Sequence, residues 1–146
     1  MQLSDNFTLA EMTRSQTAAR FGLDNTPDEI VITNLRNLTV IVLEQIRTLL
    51  GVPLAINSGY RSIAVNRKVG GAKTSQHVKG EAADFVPVGM SVEEAFRKIA
   101  ASGIPFDQLI EEGTWIHISY RTSKPNRRQI LRANFTAKGK VSYVEV

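Results

Sequence analysis

Two histidines are all this chain has. One stands in Ser75-Gln76-His77-Val78-Lys79-Gly80-Glu81-Ala82-Ala83-Asp84 and the other in Trp115-Ile116-His117-Ile118-Ser119. Two imidazoles and a carboxylate offer two nitrogens and one oxygen. A tetrahedral ion held by three such ligands keeps its fourth position open for water, which is the arrangement of catalytic zinc sites. Zinc so held lowers the pKa of its water toward roughly 7 and polarises a carbonyl as a Lewis acid, a combination suited to amide hydrolysis. Non-haem iron uses the same donors, so the ligand types alone leave the metal open. With no cysteine in the chain, any metal must be held by nitrogen and oxygen, and a disulfide framework is excluded.

Each of these residues also has a plainer reading. If residues 115–120 are extended, alternation puts Ile116 and Ile118 on one face and Trp115, His117 and Ser119 on the other. The isoleucines take the core and the imidazole faces a cleft, although a lone strand histidine also serves as a structural group. Asp84 lies among Ala83, Phe85 and Val86, where a carboxylate is costly to bury unless it is paired or bound to metal. Otherwise it caps a helix or ends a strand. His77 and Asp84 are seven positions apart and would face opposite ways on one straight strand. Gly80 permits a turn that swings them together, and Ala82 and Ala83 leave space beside them.

Ser75-x-His77-x-x-Gly80-x-Ala82-x-Asp84, followed by Trp115-x-His117, resembles the zinc-binding signature of the D-Ala-D-Ala carboxypeptidases, the vancomycin-resistance D,D-dipeptidases and the phage endolysins related to them. Ser58-Gly59-Tyr60-Arg61-Ser62 with Asn66 is similar to a segment that precedes the signature in this family. The resemblance runs over residues 54–120, and residues 7–51 and 126–133 are similar to the small, phage-associated branch. It implies that His77, Asp84 and His117 bind zinc (Zn2+), and that Arg61 engages the substrate and its developing oxyanion. A guanidinium suits that role, being permanently charged with a fork of donors; the plain alternative is a surface arginine paired with a nearby acid. Ser75 is implied to hydrogen-bond the substrate or the site's own backbone.

The general base is where the chain departs from its relatives. They place an acidic residue three positions before the last histidine ligand, and here that position is Thr114. Threonine cannot take a proton from water at neutral pH, which leaves Glu111 and Glu112. Glu112 is the choice, because aligning Phe106-Asp107-Gln108-Leu109-Ile110 as in the small branch puts the acid two after the isoleucine. The resemblance thus implies a zinc metallopeptidase acting on peptidoglycan stem peptides, as a D,D-carboxypeptidase or an endopeptidase. The competing reading, motivated by Thr114, is a catalytically inactive zinc-containing module that binds cell wall or belongs to a virion.

Several elements must bring these residues together. A hydroxyl N-cap with a glutamate three residues on marks three helix starts, at Thr8 with Glu11, Thr26 with Glu29 and Ser91 with Glu94. The second, with Pro27 in its first turn, leads a stripe of Val31, Leu35, Leu38, Val42, Ile46 and Leu49 that Gly51 and Pro53 end. Strands are expected at 53–58 and 82–86, as a hairpin of 106–110 with 115–120, and as edge strands near 129–131 and 140–146. Helices first and strands after predict an α+β fold in which an antiparallel sheet is backed by helices. The resemblance adds that it is Hedgehog/D,D-peptidase-like.

The 146 residues fit one domain with a sizeable core. Hydrophobic and charged shares of 42% and 22% are those of an ordinary globular protein. The net charge of +4 makes an anionic partner plausible, and much of the excess lies in Arg121, Lys124, Arg127, Arg128, Arg132, Lys138 and Lys140. A solvated basic face explains that run, and no recognition motif argues for specific nucleic acid. No stretch reads as a membrane span or a signal peptide. The expectation is a monomer whose partner is the stem peptide, made in the cytoplasm and reaching the wall after holin release or as part of a virion.

Overall fold

A computed structural model describes residues 1–136 and 138–146. The chain opens with two short strands, β1 (Gln2–Ser4) and β2 (Phe7–Thr8), that pair with each other. Helices α1 (Leu9–Thr13) and α2 (Gln16–Phe21) follow. Thr8 caps α1 with the complete reciprocal box: its hydroxyl accepts from the Glu11 amide, and the Glu11 side chain accepts from the Thr8 amide.

The long apolar stripe forms a nearly continuous helical rod of α3 (Glu29–Asn37), a π-helical segment Leu38–Leu43, and α4 (Glu44–Leu50). Two expectations fail here. Asp28 caps the rod in place of Thr26, its carboxylate accepting from the Val31 amide at 2.8 Å. Thr26 is instead turned back to Asp24, whose carboxylate accepts from the Thr26 amide at 2.9 Å, and the cap falls to the acid two residues on. Leu49 is 41% exposed while Leu50 is buried. A π turn carries one residue more than an α turn, so the buried face moves on from Val42 to Leu43, Ile46 and Leu50. Gly51 then closes the rod in the left-handed region, its amide donating to the Arg47 carbonyl at 2.9 Å.

After the rod come β3 (Leu54–Ser58), α5 (Ile63–Lys68), a 3-10 turn at Gln76–Lys79, β4 (Ala82–Pro87), α6 (Val92–Ala100), β5 (Gln108–Glu111), β6 (Ile116–Ser119), β7 (Gln129–Phe135) and β8 (Val141–Glu145). Ser91 caps α6, accepting from the Glu94 amide. The strands form one six-stranded sheet in the order β3-β4-β6-β5-β7-β8. Its pairs are antiparallel except β5 with β7, which run parallel. The parallel pair puts β7 inside the sheet and leaves β8 as the edge, whereas the sequence suggested two edge strands.

The α+β class holds, with the helices stacked on one face of the sheet. The core there joins Leu35, Leu38, Val42 and Ile46 of the rod and Phe96 and Ile99 of α6 to Ala83, Phe85, Ile116 and Ile118 of the sheet. Alternation along β4 and β6 sends Asp84 and His117 to the other face. None of the described helices is long and apolar enough to cross a membrane.

Candidate metal centre

Asp84 and His117 are direct partners in the β4–β6 register. The carboxylate Oδ1 lies 2.9 Å from His117 Nδ1. Both residues share the face opposite Ile116, Ile118 and Phe85, so the burial of those apolar side chains is what aims the two candidate ligands outward. Alternation in β6 therefore carries the chemistry as well as the core.

His77 arrives from a different element. Ser75 opens the 3-10 turn, its hydroxyl accepting from the His77 amide at 3.2 Å. Gly80 closes it at φ 73°, where an added Cβ would stand 2.8 Å from Val31 Cγ1. Glycine is thus required twice, for its backbone conformation and for its approach to α3. The turn buries His77 to 3% exposure. Its Nδ1 lies 2.7 Å from the Gly59 carbonyl, which can only accept, so Nδ1 carries the proton. That leaves the Nε2 lone pair toward Asp84 Oδ2, 3.4 Å away.

One nitrogen from each ring and a carboxylate oxygen lie within 4.8 Å of one another. The rings meet edge to face, 5.2 Å between centroids. Bonds of ~2.0–2.2 Å to a tetrahedral ion place its ligand atoms roughly 3.3–3.6 Å apart. The His77–Asp84 separation matches that spacing, and the His117–Asp84 pair needs to open by a few tenths of an ångström. The hydrogen bond that fixes the His77 tautomer is the outer support a metal-ligating histidine ordinarily has. The donor set therefore fits zinc. Burial works against ionising Asp84, but its two imidazole neighbours, above all His117 through the Nδ1 hydrogen bond, outweigh it and hold its carboxyl far below the usual carboxylate range.

A cleft of about 960 Å³ opens over these residues. Arg61 lines it from one side, its amide donating to the His77 carbonyl at 3.0 Å. Burial presses its pKa down and the Asp84 charge opposes this, but a guanidinium stays charged at physiological pH. Its Nη2 donates to Ser75 Oγ at 3.4 Å. The Ser75 hydroxyl thus serves the site's own framework, one of its two expected uses.

The two glutamates separate cleanly. Glu111 accepts from Arg132 Nη1 at 3.0 Å and from the Gly113 amide, and it does not line the cleft. Glu112 does line it, its amide pinned to the Trp115 carbonyl at 3.0 Å. Burial pushes the Glu112 carboxyl above its ordinary value; His117 and the Tyr143 hydroxyl work against that, and the Asp84 and Glu111 charges reinforce it. Thr114 is exposed and stands outside the cleft lining.

Two features escaped the sequence. Tyr143 of β8 reaches the cleft, its hydroxyl 3.4 Å from Glu112 Oε1, and no motif or spacing in the tail announced it. The basic run is also partly spent internally. Arg121 and Arg127 pair with the fully buried Asp107 at 3.3 and 2.8 Å, and Arg132 pairs with Glu93 and Glu111. A carboxylate beside Phe106 in an apolar run was the available signal, because such a group needs partners.

The family model described as Peptidase M15 matches residues 5–119, which include the three candidate ligands and both glutamates. No curated protein matches the chain.

Proposed function

The chain belongs to the peptidase M15 family, and from that premise we propose that it is a zinc-dependent peptidase hydrolysing amide bonds in the peptide stems of bacterial peptidoglycan. It acts either as a D,D-carboxypeptidase removing terminal D-Ala or as an endopeptidase within the stem. The observation that carries this reading is the convergence of His77, Asp84 and His117 at the floor of a cleft whose lining includes a half-buried glutamate and an arginine.

Zinc held by His77 Nε2, Asp84 and His117 Nδ1 would activate water and polarise the scissile carbonyl. Glu112 takes up the proton released in the attack and returns it to the leaving amine, a task for which a carboxyl with a raised pKa is suited. Arg61 donates to the oxygen that becomes negative in the transition state. Gly59 holds the His77 tautomer, and Ser75 holds the turn that carries the ring. The cleft has the volume of a site for a short peptide.

The similarity of residues 7–51 and 126–133 to the phage-associated branch supports a lysin that attacks a host wall. Metal analysis of the purified chain is expected to give one zinc per chain, and His117→Ala to lose that metal and the cleavage of stem peptides together. Cleavage that survives His117→Ala would sink the proposal.

A further inference from the structure

Arg61 is held by its backbone and hardly at all by its tip. Among the described residues its guanidinium makes one hydrogen bond, the long one to Ser75, and its Nε is buried without a partner. Where the guanidinium sits therefore follows from where residues 59–62 sit. Three of their polar groups are fixed from within the site and from α1. The Gly59 carbonyl takes His77 Nδ1, the Tyr60 amide donates to the Met12 carbonyl at 2.8 Å, and the Arg61 amide donates to the His77 carbonyl.

The two groups that flank Arg61 most closely, the Tyr60 carbonyl and the Ser62 amide, both go to Asn25. Its Nδ2 donates to the Tyr60 carbonyl at 3.1 Å, and its Oδ1 accepts from the Ser62 amide at 2.7 Å. The same Nδ2 donates to the Thr13 carbonyl, at the end of α1, at 2.7 Å. These partners fix which way the amide points, since two carbonyls need donors and an N–H needs an acceptor. A planar carboxamide meets all three demands at once; a carboxylate would set an oxygen against two carbonyls. Asn25 lies in the loop between α2 and α3, far in sequence from every ligand.

We propose that Asn25 is a positioning residue for Arg61: by bridging the Tyr60 carbonyl and the Ser62 amide to the end of α1, it sets the place of the guanidinium in the cleft. The proposal rests on the reading of Arg61 as the group that meets the developing oxyanion. An interaction made only in the transition state changes kcat when it is displaced and leaves KM nearly untouched. Misplacing such a group by about 1 Å costs on the order of 100-fold.

The test is a double-mutant cycle on the zinc-loaded full chain with a stem peptide as substrate. Asn25→Ala is expected to lower kcat by roughly 10- to 100-fold, with KM changed less than about threefold and zinc content retained. In an Arg61→Ala background the same substitution is expected to cost less than about threefold, because the group it positions is gone. Equal losses in both backgrounds overturn the proposal. An Arg61→Ala variant with undiminished kcat overturns instead the role of Arg61 beneath it, so the two failures are distinct. Should Asn25→Ala fail to fold, Asn25→Asp keeps the volume and the acceptor for Ser62 and is expected to show the same dependence on Arg61. A readout without turnover is hydrogen exchange of the Arg61 Nε–H by NMR. It is expected to quicken about tenfold or more in Asn25→Ala while core amides keep their rates, and an unchanged rate overturns the proposal.

Discussion

In the proposed reaction Glu112 bears the heaviest chemical demand, because both histidines are occupied as ligand candidates and neither is left for proton transfer. Its neighbour Glu111 has the same carboxyl but is held by Arg132 and the Gly113 amide. Replacing Glu112 by Gln is expected to lower kcat by roughly 10²- to 10⁴-fold while zinc stays bound, and Glu111→Gln to cost far less. Steady-state kinetics with metal analysis reads both, and equal losses would contradict the assignment. The pH dependence has a definite sign. A base must be ionised to act, and burial lifts the Glu112 carboxyl above its ordinary value of 4.5. Activity is therefore present above that raised pKa and lost as pH falls through it. The acid limb of kcat/KM should lie above pH 4.5 and belong to Glu112. At this scale the sequence was informative about ligand types and about the departure at Thr114. Alignment to the small branch chose Glu112, but which of the adjacent carboxylates faces the cleft depends on the direction each side chain takes at the end of β5, which a spacing rule does not contain.

At the scale of elements, two devices build the centre. One is the β4–β6 register, in which Asp84 and His117 face each other because their neighbours Phe85, Ile116 and Ile118 are buried on the far side. Period-two alternation made that half legible from residue types alone. The other is the 3-10 turn that carries His77, which short-range pattern did not predict beyond the need for a turn at Gly80. The π-helical segment and the shift of the rod's cap to Asp28 were equally hidden. Both are small phase changes that leave the apolar stripe almost intact. Gly80→Ala tests the turn. A Cβ there faces the left-handed backbone and the Val31 side chain and carbonyl at 2.8 and 2.9 Å, so we expect a loss of roughly 1–3 kcal/mol in stability. Zinc affinity should fall about 10- to 100-fold as His77 shifts. Thermal melts and zinc competition measure these effects, and wild-type zinc affinity in this variant would contradict the role given to the turn.

Across the whole molecule, the cleft is assembled from pieces distant in sequence: the start of α3, the 59–62 segment, the 3-10 turn, the β5–β6 hairpin and the tail beyond residue 119. Local patterns indicated most of the elements and the α+β class. They could not indicate that β7 slots parallel beside β5, nor that β8 brings Tyr143 over the site, because such pairings are set by how the whole sheet closes its edge. The tail's charge likewise read as surface, until the buried Asp107 was seen to draw Arg121 and Arg127 onto it. A cleft with a candidate metal centre, a half-buried glutamate and an arginine fits the peptide-bond hydrolysis proposed above. The most direct test of that claim is mass analysis of muropeptides from peptidoglycan digested with the purified chain, with and without a chelator. The account predicts shortened stems, from loss of terminal D-Ala or from a cut within the stem, that disappear with chelator and return with added zinc. Intact stems in the presence of a fully zinc-loaded chain would contradict it and leave a protein that binds metal without catalysis.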